Sequence, residues 1–142
     1  MKTLHYFFTG FLLIMIWSCS ASKKQAGSMN ASLYNNRWKI VAINGAEVDT
    51  AKIYRKDGLS FNKASSRFSG TVSCNSMTGK FEIGHNNTIS FSQVAITKMM
   101  CMDMSVEDSF LEILDKVTNF ELTGKELKFT DGTEELARFE PI

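Results

Sequence analysis

The sequence predicts an α+β fold: a curved, partly barrel-like antiparallel β-sheet with one amphipathic helix packed across it. Short segments that alternate apolar and polar residues recur along the chain, with Gly and Asn turn signals between them. One segment, "SVEDSFLEILDKV", breaks that period of two with apolar residues at helical spacing. Strands, then a helix, then strands is the order of an α+β domain rather than of repeated βαβ units.

The elements follow in chain order. "RWKIVAI" reads as a strand ended by Asn44-Gly45, and "GLSFN" as a short one. "RFSGTVSC" places Phe68, Gly70, Val72 and Cys74 on one face of a strand, and "GKFEIG" alternates Phe81 and Ile83 with Lys80 and Glu82. "HNN" (85–87) is a tight turn before "TISFSQV", where Ile89 and Phe91 share a face. A turn this short makes the two flanking strands antiparallel. The helix carries Val106, Phe110, Ile113 or Leu114, and Val117 on its apolar face. Ser105 is placed to cap it with Asp108 three residues on, and Glu107, Asp108, Glu112, Asp115 and Lys116 largely fill the other face. "NFELTG", "ELKFT" and "EELARFE" complete the strands, the last two joined through the Asp-Gly turn of "TDGT". Residues 46–57 read as a loop or a short helical turn.

The amino terminus sets the compartment. Lys2 and His5 precede an apolar-rich run over residues 6–17, shorter than the ~20 residues that span a bilayer. A positive start, a short apolar core and small residues after it describe an export signal. The core ends in "IWSCSAS", which resembles the lipobox of bacterial lipoproteins, with Trp17 standing where a small residue is usual. Residues 1–18 are therefore expected to be removed and Cys19 to become a lipidated N-terminus bearing diacylglycerol and an acyl chain such as palmitate. More than one chain is enough for stable anchoring in a membrane. Residues 19–32, including "SASKKQAGSM", read as a flexible tether, and residues 33–142 as one domain. The expected location is the bacterial cell envelope, lipid-anchored, at the outer membrane or the periplasmic face rather than in the cytoplasm.

Charge excludes one function class. Lys2 is the one Lys or Arg of the signal, so the chain after it balances 15 basic against 15 acidic residues. Such balance gives no reason to expect nucleic-acid binding.

Three cysteines are an odd count for an exported chain. Lipidation of Cys19 leaves Cys74 and Cys101, a candidate pair in an oxidising compartment. As a nucleophile, a cysteine needs a base within reach, and after the signal the chain offers only His85, in a turn among asparagines. No elbow, phosphate loop or zinc-helix motif is present. The reading is therefore a noncatalytic domain without a cofactor. The sharper alternative is a soft-metal, Cu(I), or thiol-redox protein. "TKMMCMDM" sets Met99, Met100, Met102 and Met104 around Cys101, and Met77 lies three residues after Cys74. Methionine also fills irregular core gaps, and no metal ligand is assigned. A structural disulfide would close the loop between Cys74 and Cys101, restricting the unfolded chain by ~3 kcal/mol. Gly70 and Gly79 then read as bulge or close-approach positions, and Asn75 as a turn residue satisfying local backbone groups.

Gly70, Cys74, Asn75, Gly79 and Phe81, in the order G-x-x-x-C-N-x-x-x-G-x-F, resemble the first signature of the META/HslJ-like domain family. "TKMMC" (Thr97, Met99, Cys101), followed by Glu107, Phe110 and Leu114, resembles the second, and Trp38 and the closing strand agree. Ser73 and Phe81 depart from the family's usual glycine and tyrosine. The resemblance spans residues 33–140. It implies an envelope-associated domain linked to heat shock, acting in stress tolerance or envelope maintenance through binding, with an envelope protein as the class of partner. It carries over no catalytic residue, and it brings Cys74 and Cys101, one in each signature, toward one another.

Overall fold

A computed structural model describes residues 33–142. The signal 1–18, Cys19 and the tether to residue 32 lie outside the described residues. Nine strands form one antiparallel sheet: β1 (Arg37–Ile43), β2 (Ala46–Glu47), β3 (Leu59–Asn62), β4 (Arg67–Thr71), β5 (Ser76–Ile83), β6 (Ile89–Ile96), β7 (Asn119–Leu122), β8 (Leu127–Thr130) and β9 (Glu135–Pro141). Helix α1 (Ser105–Leu114) stands between β6 and β7. Eight strands run in the order β6-β5-β4-β3-β1-β9-β8-β7, and β2 pairs β1. The chain thus builds β3 to β6 outward from one side of β1, crosses through α1, and returns with β7 to β9 on the other side. Carboxy-terminal β9 pairs with amino-terminal β1.

The sheet curls into a half-barrel whose edge strands meet at one end. There Ile89 N donates to Thr118 O at 2.9 Å, and Thr88 bridges Asn119. The concave side is filled by aromatic rings in contact: Phe68 with Phe91 at 5.3 Å, Phe91 with Phe129 at 5.3 Å, and Phe129 with Phe139 at 5.1 Å. Each such pair adds about 0.5–1.5 kcal/mol beyond the area it buries. Phe110 of α1 meets Phe139 edge-on at 6.0 Å, so the helix lays its apolar stripe against the same core. Buried Trp38 donates through Nε1 to Leu33 O, 3.1 Å away.

The α+β expectation holds, and so do the tight turns. Asn44 (φ 49°) and Gly45 (φ 75°) take the left-handed values that a two-residue hairpin between β1 and β2 needs. The β5–β6 turn uses Asn86 and Asn87 at positive φ in the same way. After β8, Asp131 Oδ1 accepts from the N–H groups of Thr133 and Glu134, closing the last hairpin.

Four expectations need correction. The strand read through Cys74 ends at Thr71, and Val72 to Asn75 form a bend in which every residue from Thr71 to Asn75 is buried. Burial on both faces, produced by the helix and the disulfide, overrides the alternation. Residues 46–57 hold the short helical turn that was one of their two expected forms, a 3-10 turn at Thr50–Lys52, but also a strand that was not expected, β2. Ser105 does not cap α1: Met104 holds the cap position, and Asp103 Oδ1 accepts from Ser105 N at 2.8 Å. The helix also stops at Leu114, where Lys116 N donates to Ile113 O, so Val117 is buried from the following turn.

Candidate functional site

The two motif segments converge on one buried carboxylate. Glu107, expected on the solvent face, is 1% exposed. Its Oε2 accepts from Cys74 N at 3.2 Å and Asn75 N at 2.6 Å, and its Oε1 from Asn75 Nδ2 at 2.6 Å. Three N–H groups thus meet one carboxylate inside the fold. A signal for this lay in the spacing: Glu107 stands three residues before Phe110 and seven before Leu114, inside the apolar stripe.

Asn75 makes the second half of the knot. Its Oδ1 accepts from Thr97 Oγ1 (2.8 Å) and Met99 N (2.6 Å), and its Nδ2 donates also to Met99 O (3.2 Å). The backbone it satisfies is therefore distant in sequence rather than local. Thr97 answers through Ser76, whose N–H donates to Thr97 Oγ1. The Cys74–Cys101 disulfide, with Cα atoms 6.3 Å apart, ties the same two segments covalently. Each sulfur is bonded to the other, while Met100 and Met102 are 98% exposed and Met77 is buried. Among the described residues no group of three or more His, Cys, Asp and Glu comes together. His85 sits exposed in its turn.

The signature glycines are close-approach positions. Gly70 has φ 142°, and a Cβ there would stand 1.9 Å from Gly58 O. At Gly79 a Cβ would fall 2.5 Å from the Phe68 ring, and β6 carries one extra residue opposite it, around Gln93 (φ 51°).

Outside the knot, on the convex face, lies an open groove of about 480 Å³. The pairing register aligns Arg37, Ser60, Ser69, Thr78 and Ala95 across β1, β3, β4, β5 and β6. The groove is lined by Arg37, Ser69, Thr78 and Ala95 of that row, and by Arg55, Asp57 and Thr97 around it. Residues 52–57 form one wall: Arg55 N donates to Ser73 O at 2.8 Å, Thr71 Oγ1 to Arg55 O at 3.3 Å, and Ser73 Oγ to Lys52 O at 2.6 Å. The Arg55 guanidinium is held by Asp57 Oδ2 at 2.8 Å and Ser76 Oγ at 2.7 Å. Thr97 and Gly70 line the groove while belonging to the signatures, so knot and groove share a wall. Arg37 and Arg55 escaped the sequence reading because they flank strands and join no motif; only the topology brings them together.

The comparisons bear on the fold and the family. A protein from Burkholderia xenovorans, solved by NMR, superposes with a TM-score of 0.62 at 18% identity, covering 81% of this chain and 87% of that one. A second NMR structure gives 0.59 at 21% identity over 78% and 92% of the two chains. The crystal structure of a duf4847 family protein from Bacteroides vulgatus ATCC 8482 gives 0.55 at 15% identity over 78% and 95%. At these identities the likeness is one of fold. No match was found among curated proteins. The sequence profile described as META domain matches residues 31–141, which takes in the half-barrel, the helix and both signature segments of the knot. The chain belongs to the META domain family.

Proposed function

We propose that this chain is a noncatalytic binding domain of the bacterial cell envelope, anchored through lipid on Cys19, that supports stress tolerance or envelope maintenance by holding a ligand or partner in the convex groove. The observation that carries this reading is the groove itself, an opening of about 480 Å³ whose walls are pinned by the buried knot. That volume lies in the range of small-molecule sites. The groups best suited to covalent or acid–base chemistry are engaged elsewhere: the sulfurs of Cys74 and Cys101 in a disulfide, and Glu107 with three N–H donors. A rigid concavity beside them suits recognition rather than turnover.

The test replaces the native chain in cells with variants. Ala95→Trp puts a bulky ring over the exposed edge of the groove. The variant is expected to fold and to leave cells as sensitive to heat and detergent as the deletion strain. Wild-type survival with a folded Ala95→Trp chain removes the groove as the working surface. Cys19→Ala tests the anchor: the chain should leave the membrane fraction and lose palmitate label, and unchanged fractionation overturns lipidation.

A further inference from the structure

Building on the reading of the groove as a binding site, we infer that its ligand presents an oxyanion, a carboxylate or a phosphate monoester, to Arg37 and Arg55, with a hydroxylated body lying along the Ser and Thr row. Charge points first to this class. Two arginines line the groove against one acid, Asp57, in a chain whose net charge is only +1. The acid does not cancel both. Asp57 and Ser76 take one N–H from each terminal nitrogen of Arg55, which fixes the plane of the guanidinium and leaves further donors of its five. The Arg37 guanidinium has no hydrogen bond or ion pair among the described residues. Arg138, by contrast, lies within 3.7 Å of Glu47, Glu126 and Glu135 and is neutralised by them.

A guanidinium with a fixed plane and open donors matches the geometry of carboxylate and phosphate oxygens better than an ammonium does. The remaining lining sets the hydroxyls of Ser69, Thr78 and Thr97 beside apolar Met77, Ala95 and Ile96, which suits a hydroxylated body that also presents a C–H face. Ser60 Oγ and Ser69 Oγ lie 3.4 Å apart, and Thr78 Oγ1 receives an N–H from Arg67 at 3.2 Å while donating to Phe68 O. Arg67 thus adds a third guanidinium at the margin. Small Ala95 and Gly70 keep the floor open between the hydroxyls and the arginines. An acidic sugar or sugar phosphate combines these features.

The experiment is an amide NMR titration of the full chain in detergent micelles, at constant ionic strength, with three probes: sodium glucuronate, glucose 6-phosphate and neutral glucose. Glucuronate, glucose 6-phosphate or both should saturably shift the amides of Ser69, Gly70, Thr78 and Thr97, and glucose should not. Arg37→Gln, whose side chain supports no described contact, should weaken that binding about tenfold, whereas Arg138→Gln should leave it unchanged. A response to glucuronate alone assigns a carboxylate source, and one to glucose 6-phosphate alone a phosphate source. The inference falls if neither anion moves those amides, if glucose moves them equally, or if Arg37→Gln binds as wild type. Failure here together with loss of stress survival in Ala95→Trp overturns the ligand chemistry and leaves the groove. Wild-type survival of that variant overturns the groove reading as well.

Discussion

Asn75 and Glu107 show how much a single atom can decide. The Nδ2 of Asn75 points a donor at Glu107 Oε1 across 2.6 Å, and its Oδ1 accepts on the opposite side from Thr97 and Met99. Asn75→Asp changes almost no volume, yet it sets a second carboxylate oxygen against the first and against Met99 O, now without a proton to share. Buried like charges in contact are among the few single changes that cost several kcal/mol. The variant should lose about 3–5 kcal/mol at neutral pH in urea unfolding. It should recover part of that loss relative to wild type in acid, where two touching carboxyls retain one proton between them. A loss below about 1 kcal/mol at neutral pH would show that the pair is not in contact. Asn75 was legible as a turn residue because Asn tolerates bends and bonds to backbone. Its true partners were not, since Thr97 and Met99 reach it only through the β5–β6 hairpin. Glu107 was misread because a carboxylate on an amphipathic helix is ordinarily solvated, and the donors that meet it come from a bend 32 residues away.

The segment between β6 and the end of α1's first turn is set by the disulfide at one point and by charge at another. Cys74 and Cys101 are 27 residues apart, so in the chain-entropy picture their bond is worth about 3–4 kcal/mol. Cys74→Ala with Cys101→Ala should lower unfolding free energy by about that amount, with the fold retained because Asn75 still binds the Met99 backbone. Unchanged stability would mean the covalent link adds nothing to the hydrogen-bonded one. At the helix start, hydrogen bonds from the Ser105 hydroxyl and backbone, and then Lys52 at 3.0 Å, hold the Asp103 carboxyl down to about 2. A carboxyl lowered by folding stabilises the fold above its unfolded value of 3.8, and that contribution fades as pH falls toward 2. Carbon NMR of the Asp103 carboxyl should find its midpoint near 2, with Ser105 N–H exchange accelerating over the same interval; a midpoint at 3.8 would deny the lock. The helix was readable from spacing, but its cap was not. Asp103 precedes the periodic stretch by two residues and acts from outside it, whereas Ser105 fits the usual cap pattern by composition alone.

At the scale of the molecule, alternation made the half-barrel readable. β1 as far as Ala42, β5 and β8 bury one face and leave the other half-exposed or open, which is the condition under which a period of two survives in sequence. Strand order was beyond that signal. Pairing of β9 with β1, and the meeting of β6 with β7 at Ile89 and Thr118, are long-range choices made by the shared core rather than by local residues. The same holds for the groove, whose row of side chains comes from β1, β4, β5 and β6 in register. What joins these parts is the knot: Glu107 carries the helix, Asn75 the bend between β4 and β5, and Thr97 with Met99 the exit from β6. If these signature residues work as one unit, Asn75 and Glu107 must be energetically coupled. A double-mutant cycle with Asn75→Ala, Glu107→Ala and the pair, followed by urea unfolding, measures this directly. The structure predicts a coupling of about 2 kcal/mol, because either single change already breaks most of the knot. Additivity to within about 0.5 kcal/mol would contradict it and separate the helix from the bend it is held to have pinned.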